Sequence, residues 1–141
     1  MDILTKEECQ AIIDNIDEWE EVAVTKIKGG RLEFKQAPVD CWKEQYPLML
    51  HELVLKYDVG DYCSEHRDSS WTKISPDYVA YEVWITPLND DYEGGDLYFA
   101  GELIEQVVGV PIKYRKYILH EITPVTSGTR YSLVSWLFIK I

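Results

Sequence analysis

The sequence predicts an α+β fold that is mainly β, with an N-terminal helix and a sandwich or barrel core. Two observations predict it. Apolar residues recur at helical spacing near the N-terminus, and from about residue 53 onward short apolar-polar alternations are separated by turn residues. A chain of 141 residues can bury a core without disulfides or structural metals, so we expect residues 1–141 to form a single domain.

The N-terminal helix is predicted from a capping box. Thr5 is followed three residues later by Glu8, the pair that satisfies the first free N–H groups of a helix. Apolar residues then recur every three or four positions, at Cys9, Ile12, Ile13, Ile16 and Trp19. One amphipathic helix is therefore expected to open the domain.

A β-hairpin is predicted after this helix, because EVAVTKI and RLEFKQ alternate on either side of Gly29 and Gly30. Residues 40–52, DCWKEQYPLMLHE, are expected to form a short helix after the candidate N-cap Asp40, with His51 on its surface. The segments expected to form strands after it are LVLKY, DYCSEHRD, YVAYEVWIT, DLYF, YILHEI and TRYSLVSWLFIKI.

Charge and cysteine content restrict the class of protein. The chain has 25 acidic and 14 basic residues and a net charge of −11, which argues against nucleic acid as a partner. Three cysteines without C-x-x-C spacing are expected to be free thiols in a reducing compartment. No signal peptide and no apolar run of ~20 residues is visible, so we expect a cytoplasmic protein without a membrane span.

The stretch SEHRDSS places His66 and Asp68 two residues apart. On an extended strand these side chains share a face, because successive residues alternate. An imidazole and a carboxylate are two of the three ligands in the 2-His-1-carboxylate triad of non-heme Fe(II) oxygenases. The remaining candidate ligand is His120, at the end of the apolar segment YIL.

Arg130 follows His120 by ten residues, and on an extended segment Arg130 and Ser132 face the same side. A guanidinium beside a hydroxyl suits bidentate binding of a carboxylate. A metal triad next to such a clamp suits a metal-chelating dicarboxylate.

The chain resembles the Fe(II)- and 2-oxoglutarate-dependent dioxygenases, especially the prolyl-4-hydroxylase-like branch. The segments that carry the resemblance are YDVGDYCSEHRD, LNDDYEGGDLYF and LHEITPVTSGTRYSLVSW, in the order in which the family has them. The resemblance implies a double-stranded β-helix (jelly-roll), with His66, Asp68 and His120 as iron ligands. It also implies that Arg130 and Ser132 hold the far carboxylate of 2-oxoglutarate, with Tyr57 reaching the same co-substrate.

The activity implied by this resemblance is hydroxylation of a prolyl or other peptidyl side chain, with release of succinate and CO2. The cofactors implied are Fe(II), 2-oxoglutarate and O2, with ascorbate as an optional addition. A free amino acid or small metabolite is the alternative substrate, and a non-catalytic jelly-roll binding module is the alternative function. The sequence departs from the family's pattern between residues 100 and 119, where it is compact.

Other interpretations of these residues are weaker. His-Arg-Asp is also the catalytic triplet of protein kinases, but the other kinase motifs are missing, and the zincin motif fails because position 124 is proline. Cys63, three residues before His66, is expected on the opposite strand face. Trp71, in the polar segment from Ser69 to Tyr78, is expected either to pack on the barrel or to cover a bound substrate.

Overall fold

The structure is a computed structural model that describes residues 2–24, 32–68, 73–75 and 77–140. Within these ranges the chain forms helix α1 (Lys6–Asp14) and thirteen strands. The strands are β1 (Glu20–Val24), β2 (Leu32–Pro38), β3 (Met49–Tyr57), β4 (Tyr62–His66), β5 (Lys73–Ser75), β6 (Tyr78–Pro87), β7 (Glu93–Gly94), β8 (Leu97–Phe99), β9 (Glu102–Ile104), β10 (Ile112–Arg115), β11 (His120–Ile122), β12 (Val125–Ser127) and β13 (Arg130–Lys140). The predicted turn at Gly29 and Gly30, and Trp71 with its two alternative roles, lie outside the described residues.

Eleven of the described strands form one curled sheet in the order β10-β6-β13-β3-β2-β4-β11-β8-β9, with β1 paired to β2 and β5 paired to β6. Strand β2 joins two halves of this sheet, because one end pairs with β3 and the other with β4. We call β10, β6, β13 and β3 the major half and β4, β11, β8 and β9 the minor half. Side chains from both halves pack in one core, so the prediction of a mainly β fold with a barrel-like core is confirmed.

Helix α1 covers the outer face of the major half. The predicted capping box is confirmed, with the Glu8 N–H donating to Thr5 Oγ1 at 3.1 Å and the Thr5 N–H donating to Glu8 Oε1 at 2.9 Å. Cys9 and Leu4 are buried there with Leu133, while Val134 faces the barrel interior. Strand β13 is thus buried on both faces, which explains its continuous apolar sequence.

The predicted helix over residues 40–52 is wrong. Residues 43–45 and 47–48 form turns, and β3 begins at Met49, so His51 lies on a strand with its ring 4.9 Å from that of Trp136. Pro47 cannot supply a helical N–H. The buried Glu52 carboxylate instead accepts hydrogen bonds from the N–H groups of Cys41 and Trp42, which fixes the segment as a turn.

No helix in the described ranges is long and apolar enough to cross a bilayer. Cys9, Cys41 and Cys63 are free thiols.

Candidate functional site

His66 and His120 meet because β4 and β11 are antiparallel neighbours in the minor half. His66 ends β4, His120 begins β11, and the two residues are directly opposite in the register. Their ring centroids are 4.2 Å apart. Asp68 follows two residues after His66, where its N–H donates to the carbonyl of Lys116 at 2.9 Å. The three predicted ligand residues therefore form one cluster, with ligand atoms within 4.8 Å of one another.

Backbone carbonyls orient both imidazoles of this cluster. His66 Nδ1 lies 2.8 Å from the carbonyl oxygen of Ser64, and His120 Nδ1 lies 2.9 Å from that of Ile118. A carbonyl can only accept, so each Nδ1 carries a proton and each Nε2 presents a lone pair when the ring is neutral. Both Nε2 atoms point at Asp68 Oδ1, at 3.3 and 3.4 Å.

This donor set fits a divalent transition metal. Two imidazole nitrogens and one carboxylate oxygen lie within 4.8 Å of one another, and the carbonyls beside the two Nδ1 atoms are the outer partners typical of metal-bound histidines. Two nitrogens and one oxygen are the ligands of a facial triad, which suits Fe(II).

Tyr114 also belongs to this cluster, and the sequence analysis did not identify it. It lies in β10, at the edge of the major half, and its hydroxyl donates to Asp68 Oδ2 at 2.8 Å and lies 3.4 Å from His120 Nε2. Asp68 Oδ2 therefore accepts the hydrogen bond from Tyr114, while Oδ1 faces the two histidines. The one sequence signal for Tyr114 is its alternation with Ile112 in PIKYR, which indicates only an inward-facing strand position.

The electrostatics of the cluster favour a cation. Burial disfavours charged His66, but hydrogen bonds with Asp68 and Cys63 outweigh burial and raise its pKa to about 9. Burial acts to raise the pKa of Asp68, yet hydrogen bonds with His120 and His66 hold it below its ordinary value. Asp68 thus stays ionised, and its interaction with the two imidazoles raises the pKa of both His66 and His120.

Cys63 is buried as expected, but the prediction that it faces away from His66 is wrong. Its Sγ lies 3.4 Å from His66 Nδ1. The register pairs His66 with His120 and Cys63 with Ile122, so the four residues 63–66 of β4 oppose the three residues 120–122 of β11. This β-bulge adds a residue to β4 and brings positions three apart onto one face.

The structure brings Arg130, Ser132 and Tyr57 together in the major half. Arg130 begins β13 opposite Tyr57 on β3 and is only 1% exposed. Its Nη1 donates to Ser132 Oγ at 3.1 Å, and its guanidinium carbon lies 5.1 Å from the Tyr57 ring centroid. Tyr57 therefore contacts the charge through its ring, a cation–π geometry.

Gln106 is the second residue that the sequence analysis missed. Its Oε1 accepts from Arg130 Nε at 3.2 Å and from Nη2 at 2.8 Å, while its own Nε2 donates to the Gly95 carbonyl at 3.1 Å. Gln106 lies in the compact segment between β9 and β10, where the sequence departs from the family pattern. No local motif marks it, because its partner is 24 residues away.

The two glycines of the GGDLYF motif are explained by close approaches near this arginine. A Cβ on Gly94 would lie 2.3 Å from the carbonyl oxygen of Pro124, and one on Gly95 would lie 2.9 Å from Arg130 Cδ. Both glycines also have positive φ angles, of 73° and 60°. The hairpin motif therefore leaves space for the stem of Arg130.

The charges of the histidine–aspartate cluster and of Arg130 both influence the pKa values of two buried groups, Cys63 and Tyr57. Burial raises the pKa of the Cys63 thiol, while His66 and Arg130 both lower it. Burial likewise raises the pKa of Tyr57, with opposing effects of Arg130 and Asp68. Cys63, which contacts His66, and Tyr57, which contacts Arg130, also lie in one core cluster, so the histidine–aspartate cluster and the guanidinium border the same interior.

No family model matches the chain. Among curated proteins, a PKHD-type hydroxylase of Alteromonas mediterranea is 33% identical over 92 residues, which cover 58% of this chain and 40% of the relative. This chain spans about two fifths of the length of the first curated relatives that it matches.

Two solved structures share the fold. The viral collagen prolyl hydroxylase of Paramecium Bursaria Chlorella virus-1 has a TM-score of 0.68 at 16% identity, over 96% of this chain and 91% of that one. A Pseudomonas putida prolyl-4-hydroxylase also has a TM-score of 0.68 at 16% identity, over 96% and 88%. The predicted jelly-roll fold is confirmed, and so is the predicted resemblance to the Fe(II)- and 2-oxoglutarate-dependent dioxygenases.

Proposed function

We propose that residues 1–141 act as one domain with Fe(II)- and 2-oxoglutarate-dependent hydroxylase activity. The observation that carries the proposal is the convergence of the Nε2 atoms of His66 and His120 on Asp68 Oδ1, while a backbone carbonyl lies within hydrogen-bond distance of each Nδ1. The likeness to a PKHD-type hydroxylase and to two prolyl hydroxylase structures supports it.

In this proposal His66, Asp68 and His120 hold Fe(II), and Arg130 and Ser132 hold the far carboxylate of 2-oxoglutarate. Bound iron and 2-oxoglutarate would supply the O2-dependent oxidation that releases succinate and CO2. The two histidines present their Nε2 lone pairs, and Asp68 supplies the negative charge. Burial of Asp68, His120 and Arg130, each at most 7% exposed, keeps bulk water from these groups.

Tyr57 is proposed to reach the same co-substrate, and its ring also contacts Arg130. The ring face stabilises the buried guanidinium and restricts its position. We therefore propose that Tyr57 supports co-substrate binding through Arg130.

The substrate proposed is a prolyl or other peptidyl side chain, and a free amino acid or small metabolite is the alternative. The names of the two solved structures favour the first. Incubation of the protein with peptides, amino acids and cell extract, followed by mass spectrometry, would identify the substrate by the gain of one oxygen atom.

The activity itself is tested by succinate release with Fe(II), 2-oxoglutarate and O2. We expect release by the wild-type chain and none by Asp68→Asn, while Asp17→Asn, the same change on an exposed loop, keeps the wild-type rate. No release by the wild-type chain with any substrate, despite metal binding, would favour a non-catalytic binding module.

A further inference from the structure

Within the described part of the chain, the hydrogen bonds of Arg130 use three of its N–H groups and leave two without a partner. An arginine has five N–H donors. Nε and Nη2 each donate to Gln106 Oε1, and Nη1 donates to Ser132 Oγ. Among the described residues no partner takes the remaining N–H on each of the two terminal nitrogens, and two such donors match the two oxygens of a carboxylate.

We infer that Gln106 is a positioning residue that fixes Arg130 so that its two remaining terminal N–H groups bind the far carboxylate of the co-substrate. The inference rests on the proposed function and deepens it. Gln106 accepts from Nε and Nη2, which form the side edge of the guanidinium. Ser132 accepts from Nη1 and can at the same time donate its own hydroxyl proton.

Gln106 is itself held in place. Its amide nitrogen donates to the carbonyl of Gly95, the residue whose missing side chain leaves space for the Arg130 stem. One glycine thus positions both the arginine and its partner. The amide orientation follows from these bonds, because Oε1 must face the guanidinium donors and Nε2 the carbonyl.

The neutral charge of Gln106 matters for this role. A glutamine accepts two hydrogen bonds from Arg130 without cancelling its charge, so the positive charge remains available for an anionic co-substrate. A glutamate in the same place would form a half-buried ion pair and compete for that charge. Gln106 also lines a cleft of about 460 Å³ with Tyr92 and Ile104, and its side chain lies between that cleft and the guanidinium.

The test compares two 2-oxo acids on the Mn(II)-bound protein by calorimetry. 2-Oxoglutarate has the far carboxylate, and 2-oxobutyrate lacks it. We expect Gln106→Met, which keeps the size but removes the acceptor, to raise the Kd for 2-oxoglutarate about tenfold to a hundredfold. The Kd values for 2-oxobutyrate and for Mn(II) should stay within about twofold, because neither ligand uses Arg130.

Two further variants complete the test. Gln106→Glu keeps the shape and the two hydrogen bonds from Arg130 but loses the donor to the Gly95 carbonyl, and it should weaken 2-oxoglutarate binding at least as much. Glu105→Gln is the control: it removes the charge of the exposed neighbouring residue and should leave the Kd values for both 2-oxo acids unchanged. Melting temperatures of all variants identify any general loss of folding.

The possible results separate this inference from the proposed function. A wild-type chain that binds the two acids equally contradicts the proposed function and this inference together. A wild-type preference for 2-oxoglutarate that both Gln106 variants retain contradicts only the inference. Equal weakening of both acids in these variants also overturns it, because that result indicates general damage to the site.

Discussion

Two buried carboxylates, Glu52 and Asp68, have opposite surroundings. Glu52 is 4% exposed and accepts three hydrogen bonds from groups of the chain itself. The N–H groups of Cys41 and Trp42 donate at 2.7 and 3.1 Å, and the Ser135 hydroxyl donates at 2.9 Å. Each Glu52 oxygen therefore has a donor, and the carboxylate is satisfied without any ligand.

Asp68 is 7% exposed, but among the described residues only one of its oxygens has a fixed donor, the Tyr114 hydroxyl. The other oxygen faces the Nε2 atoms of His66 and His120, which are acceptors when the rings are neutral. A proton or a cation must lie between these groups. Burial alone therefore does not mark a functional carboxylate. The property that distinguishes Asp68 from Glu52 is a carboxylate oxygen that faces two imidazole nitrogens, because that arrangement needs a cation or protons between the groups.

The largest expected effect is on metal binding by Asp68→Asn. Replacement of the anionic oxygen should raise the Kd for Fe(II) or Mn(II) by more than about 100-fold, because loss of an outer partner alone costs 10- to 100-fold. Titration of the apo protein with Mn(II) measures it. Wild-type metal affinity in both Asp68→Asn and His120→Ala would refute the triad assignment.

Glu52→Gln should lower the stability of the protein and leave its metal affinity unchanged. The amide nitrogen of the new side chain would meet groups that donate hydrogen bonds, so we expect a loss of about 2 kcal/mol in the free energy of unfolding. Urea denaturation measures this loss. The Kd for Mn(II) should not change, and a large decrease in metal affinity would mean that the two carboxylates are not separate in function.

Tyr114→Phe removes the hydroxyl that donates to Asp68 Oδ2 and so tests whether this hydrogen bond orients the carboxylate. Without the hydroxyl the carboxylate can rotate, so the Kd for Mn(II) should rise about tenfold. Tyr117→Phe is the matched control, because Tyr117 is 65% exposed on the adjoining turn and should leave the Kd unchanged. Equal Kd values for wild type and Tyr114→Phe would show that Asp68 is oriented without the phenol.

The smallest effect is expected at the N-cap of α1. Thr5→Ala removes one hydrogen bond to the first turn and should cost about 1 kcal/mol of stability. Thermal unfolding measures the loss. Because α1 packs outside the major half, the Kd values for Mn(II) and 2-oxoglutarate should be those of the wild type, and a change in either would show that the helix couples to the site.

Local sequence patterns determined the features that depend on a few neighbouring residues. The capping box specified the start of α1, since its two hydrogen bonds span three residues. The two-residue period of a strand placed Arg130 beside Ser132. The same period had suggested Asp68 beside His66, but Asp68 lies beyond the end of β4, and its position depends on the Lys116 carbonyl.

Tertiary structure decided the features that depend on register and long-range contacts. Tyr114 reaches Asp68 across 46 residues, and Gln106 reaches Arg130 across 24. The bulge in β4 reversed the expected face of Cys63, and the Glu52 carboxylate replaced an expected helix by turns. A hydrogen bond between distant segments depends on which strands become neighbours and in what register, and a local period in the sequence carries no information about that pairing.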